Sequence, residues 1–394
     1  MKKVYFCYLL AVSIIVFIIT CGPGTEKYNE KLWKNAFKKQ EVLEFKPELV
    51  AEFEEVYKRP LLQYIDDKNI YINGSNEQTI NIYTRKECRL KIKFGGKGEG
   101  PGEFRIIQGF KVYEDFIFIN SPGKNSYFSK KGELLKEVRC PPALVPCLPV
   151  GDNFITREYS LPTVKDINNS FMEIKTVLVG SDFKEKKILF SKSLNTKYTY
   201  NAKTGKKEAR LFPESCTFKI YKNNIYIGYS SMDGFFFTVF DSSGNKLYEI
   251  NRPYIKRKIP DALKDVIRNR KEKYRQRGSN LEVEILFFEY FPSFCTFSVA
   301  NDKIYVFLYP EIDKQRILIL DLKGKLIDVS LIPFDLQSLE KFSFRILYSN
   351  IVHNGEKYYI KDNFETSKWE LWRLKLCEER KKEKSSDGKG LDSK

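Results

Sequence analysis

The chain has 394 residues, enough for one large domain or two small ones with a sizeable core. Aromatic residues make up 15 %, led by 31 Phe and 24 Tyr, a composition that favours strands. The formal charge is +17 and the one histidine is His353, which excludes multi-histidine metal centres and leaves a histidine-dependent triad no other candidate.

The first predicted element is a leader. Lys2 and Lys3 form a short basic region, Val4 to Ile19 is almost wholly apolar, and Cys21-Gly22-Pro23-Gly24 follows. This is the layout of a signal peptide. Ile18-Ile19-Thr20-Cys21 resembles a bacterial lipobox, with Thr20 where Gly, Ala or Ser is usual. The resemblance implies cleavage over residues 1–21, with Cys21 lipidated at the new N-terminus. An uncleaved signal anchor or ordinary cleavage stays open, because ~17 apolar residues is the lower limit for a spanning helix. No later apolar run is long enough to span a bilayer, so the body is expected to be soluble. Residues 22–55 read as a tether and docking segment, carrying Trp33, Phe37, Leu43 and Phe45 among many charges. One strand from this end is expected to complete the last unit of the repeat that follows.

A repeat begins near residue 60. An apolar strand leads through a polar turn into a short aromatic and β-branched strand, in Gln63–Ile72, Gln108–Ile119, Leu148–Thr156, Phe218–Ile227, Phe297–Val306 and Ile351–Ile360. Second halves match in Phe237–Leu247, Ile317–Leu326 and Tyr127–Leu134, where Asp or Ser stands three residues before Gly. A short polar side chain caps such a turn and glycine supplies its positive φ. Each unit reads as a β-meander that cannot bury both faces alone, whereas neighbours stacked around an axis can. The units lie 38 to 79 residues apart, so insertions must sit in the third and fourth. An irregular β-sandwich or two β domains fits the same local signals.

Between the first two units runs Phe94-Gly-Gly-Lys-Gly-Glu-Gly-Pro-Gly-Glu-Phe104. It is no phosphate loop, since Lys97 is followed by Gly98, and it does not match G-x-G-x-x-G. Gly95, Gly96, Gly98, Gly100, Pro101 and Gly102 shape a tight connection. Glu103 can accept backbone N–H bonds within it, and Phe104 can plug inward between units. Further on, Cys140 and Cys147 are close enough in sequence to bridge a loop in an exported protein; buried free thiols are the alternative.

The insertion Arg252–Gly278 carries eleven basic residues against three acidic ones, +8 in all. Pro260 suits a helix start and Gly278 a stop. The expectation is a helix near 260–277 on the rim, with Leu263, Val266, Ile267 and Tyr274 as an apolar stripe. Its outward basic face, Arg268, Arg270, Lys271, Lys273, Arg275 and Arg277, is a candidate patch for an anionic partner or lipid surface. Residues 378–394 read as a disordered charged tail.

The glycine run followed by Phe110–Ile119 resembles the NHL-repeat pattern. More closely, it resembles the six-bladed β-propeller lipoproteins of bacterial envelopes, over roughly residues 60–376. The resemblance implies an all-β, six-bladed β-propeller over 56–377 with a short basic helical insertion at about 252–278, held at the membrane by its lipid.

No constellation for chemistry stands out. There is no G-x-S-x-G elbow, Asp66-Asp67 reads as a turn rather than a calcium site, and His353 sits at a strand-to-turn position. No metal, cofactor or nucleic acid is expected. The functional expectation is a non-catalytic binding scaffold taking a protein, peptide or glycan at the propeller face. A lyase or hydrolase using carboxylates in the central channel, and a membrane-surface adaptor working through the basic insertion, are the alternatives.

Overall fold

A computed structural model describes residues 30–37, 46–53, 60–144, 146–160, 171–195, 198–201, 206–276, 283–334, 351–363, 366 and 368–376. The chain enters through helix α1 (Glu30–Ala36) and strand β1 (Glu48–Phe53). Blade 1 follows as β2 (Pro60–Ile65), β3 (Asn69–Gly74), β4 (Thr79–Thr84) and β5 (Leu90–Gly95). Blade 2 is β6 (Gly109–Val112), β7 (Ile117–Ser121), β8 (Lys124–Phe128) and β9 (Leu134–Arg139). Blade 3 is β10 (Leu148–Val150), β11 (Asn153–Ser160), β12 (Phe171–Val179) and β13 (Glu185–Asn195). After β14 (Tyr198–Asn201) and β15 (Lys206–Leu211) comes blade 4, β16 (Ser215–Tyr221), β17 (Asn224–Ser230), β18 (Gly234–Phe240) and β19 (Lys246–Pro253). Helix α2 (Asp261–Gln276) and β20 (Val283–Phe287) precede blade 5, β21 (Thr296–Ala300), β22 (Lys303–Phe307), β23 (Lys314–Asp321) and β24 (Leu326–Pro333). Blade 6 is β25 (Ile351–His353), β26 (Glu356–Asn363) and β27 (Lys368–Lys375), completed on its outer side by β1 from the other end of the chain.

The protein is thus a six-bladed β-propeller, and the strand sequences explain why. The second strand of a blade is covered by neighbours on both faces, so it reads as a continuous apolar run and is buried along almost its whole length in β3, β7, β17 and β22. Outer strands such as β5 and β9 face solvent and are largely exposed. Six apolar clusters fill the six gaps between blades. Ile82 and Phe104 pack with Ile119 between blades 1 and 2, Phe118 with Phe154 between 2 and 3, and Ile155 with Phe218 between 3 and 4. Phe237 and Val306 meet between 4 and 5, Tyr305 and Val352 between 5 and 6, and Leu62 and Tyr358 between 1 and 6. The turn joining a blade's last two strands is built as its sequence demands. Asp241 Oδ1 accepts from the N–H groups of Ser243 and Asn245 at 2.9 and 2.8 Å, and Asp321 Oδ1 does the same for Lys323 and Lys325 at 2.9 and 2.8 Å. Gly244 and Gly324 follow at φ +80° and +82°.

The amino-terminal segment docks as well as closing the ring. Trp33 is 2 % exposed, sits edge-on to Phe235 and donates from Nε1 to the Pro253 carbonyl at 2.7 Å. Arg316 Nη1 donates to the Ala36 carbonyl at 2.6 Å.

The insertions hold more than the expected helix. Helix α2 runs close to the anticipated bounds, and Leu263 and Ile267, one turn apart, are buried against Phe212, Ile259, Phe291 and Tyr309. Val266 lies outside that cluster and is half-buried, and the Tyr274 side chain lies outside the described ones. Beside the helix is a three-stranded sheet in which β15 pairs antiparallel with β14 and parallel with β20. Two separate insertions therefore meet in one small sheet, which no local pattern announced.

Candidate functional site

The first strand of each blade is its innermost, and these strands wall a central channel. β2 lies beside β6 and β25, β6 beside β10, and β21 beside β16 and β25. In β16 the alternation is clear: Cys216 and Phe218 are buried against blade 3, while Ser215, Thr217 and Lys219 are half-buried on the opposite face. In β6, Phe110 and Val112 pack against blade 1, which turns Lys111 the other way. Its Nζ passes the three-residue strand β10 and donates to the Ile220 carbonyl of blade 4 at 2.9 Å. Arg157 arrives from β11. Its guanidinium lies over the Phe218 ring at 5.3 Å and its Nη2 donates to Thr217 Oγ1 at 2.8 Å.

Three cations from blades 2, 3 and 4 thus share one space. Burial pushes the Lys111 ammonium down to about 8, helped by the charge of Lys219. Burial pushes Lys219 down to about 8 as well, helped by the charge of Arg157. No carboxylate contributes to either shift. Cys216, behind Arg157, is raised to about 11 by burial, which Arg157 partly offsets.

One end of the channel is stitched by the turns that join first and second strands. His353 Nε2 and Asp67 Oδ1 pair at 2.9 Å, and Asn354 Nδ2 donates to the same oxygen at 2.9 Å. Hydrogen bonding to His353, then to Asn354, holds the Asp67 carboxyl below the usual range. Asn354 and Asn301 exchange two bonds at 3.0 Å, Lys222 pairs with Asp302 at 2.7 Å, and Asn223 Oδ1 accepts from Gly151 N–H at 2.9 Å. Blades 1, 6, 5, 4 and 3 are linked in turn by these side chains. Asp66 caps its own turn, accepting from Lys68 and Asn69 N–H at 2.8 and 2.7 Å.

The residues singled out from sequence fall elsewhere. The glycine run lies between blades 1 and 2. Phe104 is fully buried there, near Phe128, and Glu103 Oε2 accepts from Gly100 N–H at 3.0 Å. A Cβ on Gly98 would stand 2.0 Å from that same oxygen, so a side chain there would displace the Glu103 carboxylate from its bond to Gly100. Glu137 accepts from Gly102 N–H at 3.1 Å, and Lys124 Nζ donates to the Gly100 carbonyl at 2.7 Å, tying the loop to blade 2. Gly95 ends β5, while Gly96 accepts Phe104 N–H at 2.7 Å and Pro101 sits in the turn.

Cys140 and Cys147 form no bridge: both are free, buried thiols, raised by burial. Each finds a partner in Asn125, whose Oδ1 accepts from Cys140 Sγ at 3.7 Å and whose Nδ2 donates to Cys147 Sγ at 3.9 Å. In the basic patch, Arg268 is exposed but already pairs with Asp265 at 3.3 Å. Arg270, Lys271, Lys273 and Arg275 lie on α2 with side chains outside the described ones, and Arg277 lies outside the described residues. So do the leader with Cys21 and the tail 378–394. Among the described residues, no three His, Cys, Asp or Glu side chains are grouped to hold a metal ion, and no helix is long and apolar enough to cross a membrane.

The channel cations were missed, although a signal existed. Phe110-Lys111-Val112-Tyr113 and Phe218-Lys219-Ile220-Tyr221 are the same tetrapeptide pattern in equivalent strands of blades 2 and 4.

No protein-family model matches the chain, and no curated protein matches it. Solved structures are similar at low identity. A protein of Bacteroides fragilis described as exported is 13 % identical, with 85 % of this chain and 95 % of that one covered, at a TM-score of 0.48. A streptogramin B lyase is 11 % identical over 86 % and 90 %, at 0.33, and BamB of Moraxella catarrhalis is 10 % identical over 78 % and 70 %, at 0.26. These likenesses concern architecture alone, which the blade topology establishes by itself.

Proposed function

We propose that this protein is an exported, lipid-anchored β-propeller of the bacterial cell envelope that binds a partner through its central channel without transforming it. The observation that carries the reading is the group Lys111, Lys219 and Arg157. Like charges held together in a partly desolvated space destabilise the fold, and such strain is characteristic of sites that meet something outside the chain. The carboxylates with resolved shifts, such as Asp67, Glu137, Glu173 and Asp302, are all pulled down rather than raised. A general acid needs the opposite, so binding is favoured over acid–base chemistry.

Site-specific photocrosslinking in cells tests the binding. A photoreactive residue replacing Ser215 on the channel wall should give a discrete adduct that the same residue at exposed Lys91 on β5 does not give. Equal labelling at both positions, or none at Ser215, defeats the reading. The anchor is tested separately: Cys21→Ser should leave the precursor uncleaved by lipoprotein signal peptidase, and normal maturation would refute lipidation there.

A further inference from the structure

We propose that the channel between blades 2, 3 and 4 is a binding site for a small oxyanion group, a phosphate, sulfate or carboxylate, held by Lys111, Lys219, Arg157 and Thr217. The inference rests on the binding reading above and supplies its chemistry.

The donors come from three blades and converge without an acidic neighbour. Lys111 uses one of its three N–H donors on the Ile220 carbonyl, which fixes the direction of the side chain across the channel and leaves two donors free. Ile220 belongs to the free edge of an innermost strand. A single carbonyl is a weak counterpart for a full charge. Lys219 stands one residue earlier on the same strand, and among the described residues no hydrogen bond or ion pair engages its ammonium. Arg157 commits Nη2 to Thr217 Oγ1, while its Nε is buried and lacks a partner among the described residues. The Thr217 hydroxyl receives that bond and keeps its own proton to donate. Lysine point charges beside a guanidinium fork are the side chains that bind oxyanions, because N⁺–H···O⁻ bonds are short and strong and the fork matches two oxygens.

A structural explanation fails on sign. A lysine kept for stability would sit against a carboxylate, and among the described residues neither of these half-buried lysines does. These two face each other and a guanidinium, and lose proton affinity through burial and mutual repulsion. An anion among them reverses both penalties.

The duplication in sequence supports a built site. Phe-Lys-Val-Tyr and Phe-Lys-Ile-Tyr put the two lysines at matching heights in blades 2 and 4. Blade 3 separates them, and its first strand is only three residues, Leu148-Pro149-Val150. That short strand is what lets Lys111 reach blade 4.

The test is thermal unfolding of the whole protein against inorganic phosphate, sulfate and acetate. Ionic strength is held constant with sodium chloride, so general screening cancels. Wild type should gain Tm with rising anion, following ligand linkage. Lys219→Met should shift the midpoint of that response by about tenfold or more, as expected for loss of one charge-assisted bond. Its Tm without anion should equal or exceed that of wild type. Lys219→Arg should keep the response, and Lys187→Met on outer strand β13 should leave it unchanged. Lys111→Met provides the same readout should the first variant fold poorly. Phosphate and sulfate acting alone would identify a tetrahedral group, whereas an equal effect of acetate would identify a carboxylate. Identical responses of wild type and both methionine variants to all three anions would overturn the site. So would a response in wild type no larger than that to chloride. A Ser215 adduct together with that negative result would leave the binding reading standing and remove its oxyanion chemistry.

Discussion

Two basic regions of this protein behave in opposite ways. The insertion at 252–278 packs eleven cationic residues into one stretch, and the described ones are mostly settled locally. Lys264 pairs with Asp261 at 2.7 Å and Arg268 with Asp265 at 3.3 Å; Arg257 is the exception, buried by the fold, donating to the Tyr309 carbonyl at 2.9 Å while its Nε and Nη2 lack partners among the described residues. In the channel, Lys111, Lys219 and Arg157 are separated in sequence and gathered by the ring, and among the described residues no acid answers them. Dense charge in sequence is cheap because neighbours and solvent screen it. Sparse charge collected by a fold is costly, and so more informative about function.

The comparison extends to a fourth cation that the fold has gathered. Lys357 lies between blades 5 and 6, over the rings of Phe307 and Tyr359, with Gln315 Oε1 at 3.4 Å. Burial pushes its ammonium down to about 7, against which the neighbouring Cys295 pulls slightly up. Lys357→Met should therefore stabilise the protein at pH 7, by on the order of 2 kcal/mol. The sign of the pH dependence follows. Between about 7 and the unfolded lysine value near ~10.4 the unfolded state holds the extra proton, so wild-type stability gains with pH and the variant's advantage shrinks. Urea unfolding at pH 7 and pH 9 checks this; a variant that is less stable, or an advantage independent of pH, would break the contrast between gathered and local charge.

A smaller gain is expected at the channel. Lys219→Met, half-exposed to the channel, should stabilise by about 1 kcal/mol at pH 7 in the absence of anion. Combined with Lys111→Met, the gain should be less than additive, because removing either lysine relieves the other. Strict additivity in a double-mutant cycle would mean the two ammonium groups do not sense each other. The smallest effect belongs to the insertion: Arg268→Glu should change stability by no more than about 0.5 kcal/mol. A larger loss there would erase the distinction between the two regions.

The propeller was legible because its signal is local. Second strands covered on both faces must be continuously apolar, and Asp-x-x-Gly turns recur where third strands end. Blade 3 was faint for the same reason. Its first strand is three residues, and its last, Glu185–Asn195, is largely exposed and carries three lysines, so neither shows an apolar run. The sheet of the insertions was invisible, because Lys206–Leu211 is mostly charged and its partner Val283–Phe287 follows only after the whole of blade 4. The channel site was half legible. The repeated Phe-Lys pattern was present, but only the ring brings blades 2 and 4 to face one another, and Arg157 enters from a second strand whose pattern gives no hint of it.

The closure of blade 6 has a consequence for how the chain is made. Glu48 and Arg373, 325 positions apart, meet at 2.6 Å, and Glu52 meets Lys368 at 2.9 Å. Every other blade is assembled from strands that emerge one after another. Blade 6 joins β1 to β27, which lies more than 300 positions later, so its sheet cannot be completed until residues 351–375 have been delivered. Until then β1 is a strand without a partner, and its two glutamates place charge on an edge that would otherwise invite mispairing. The same glutamates then mark the register in which Arg373 and Lys368 receive it. Completion of the ring therefore waits for blade 6, and a chain truncated after blade 5 would retain an open ring.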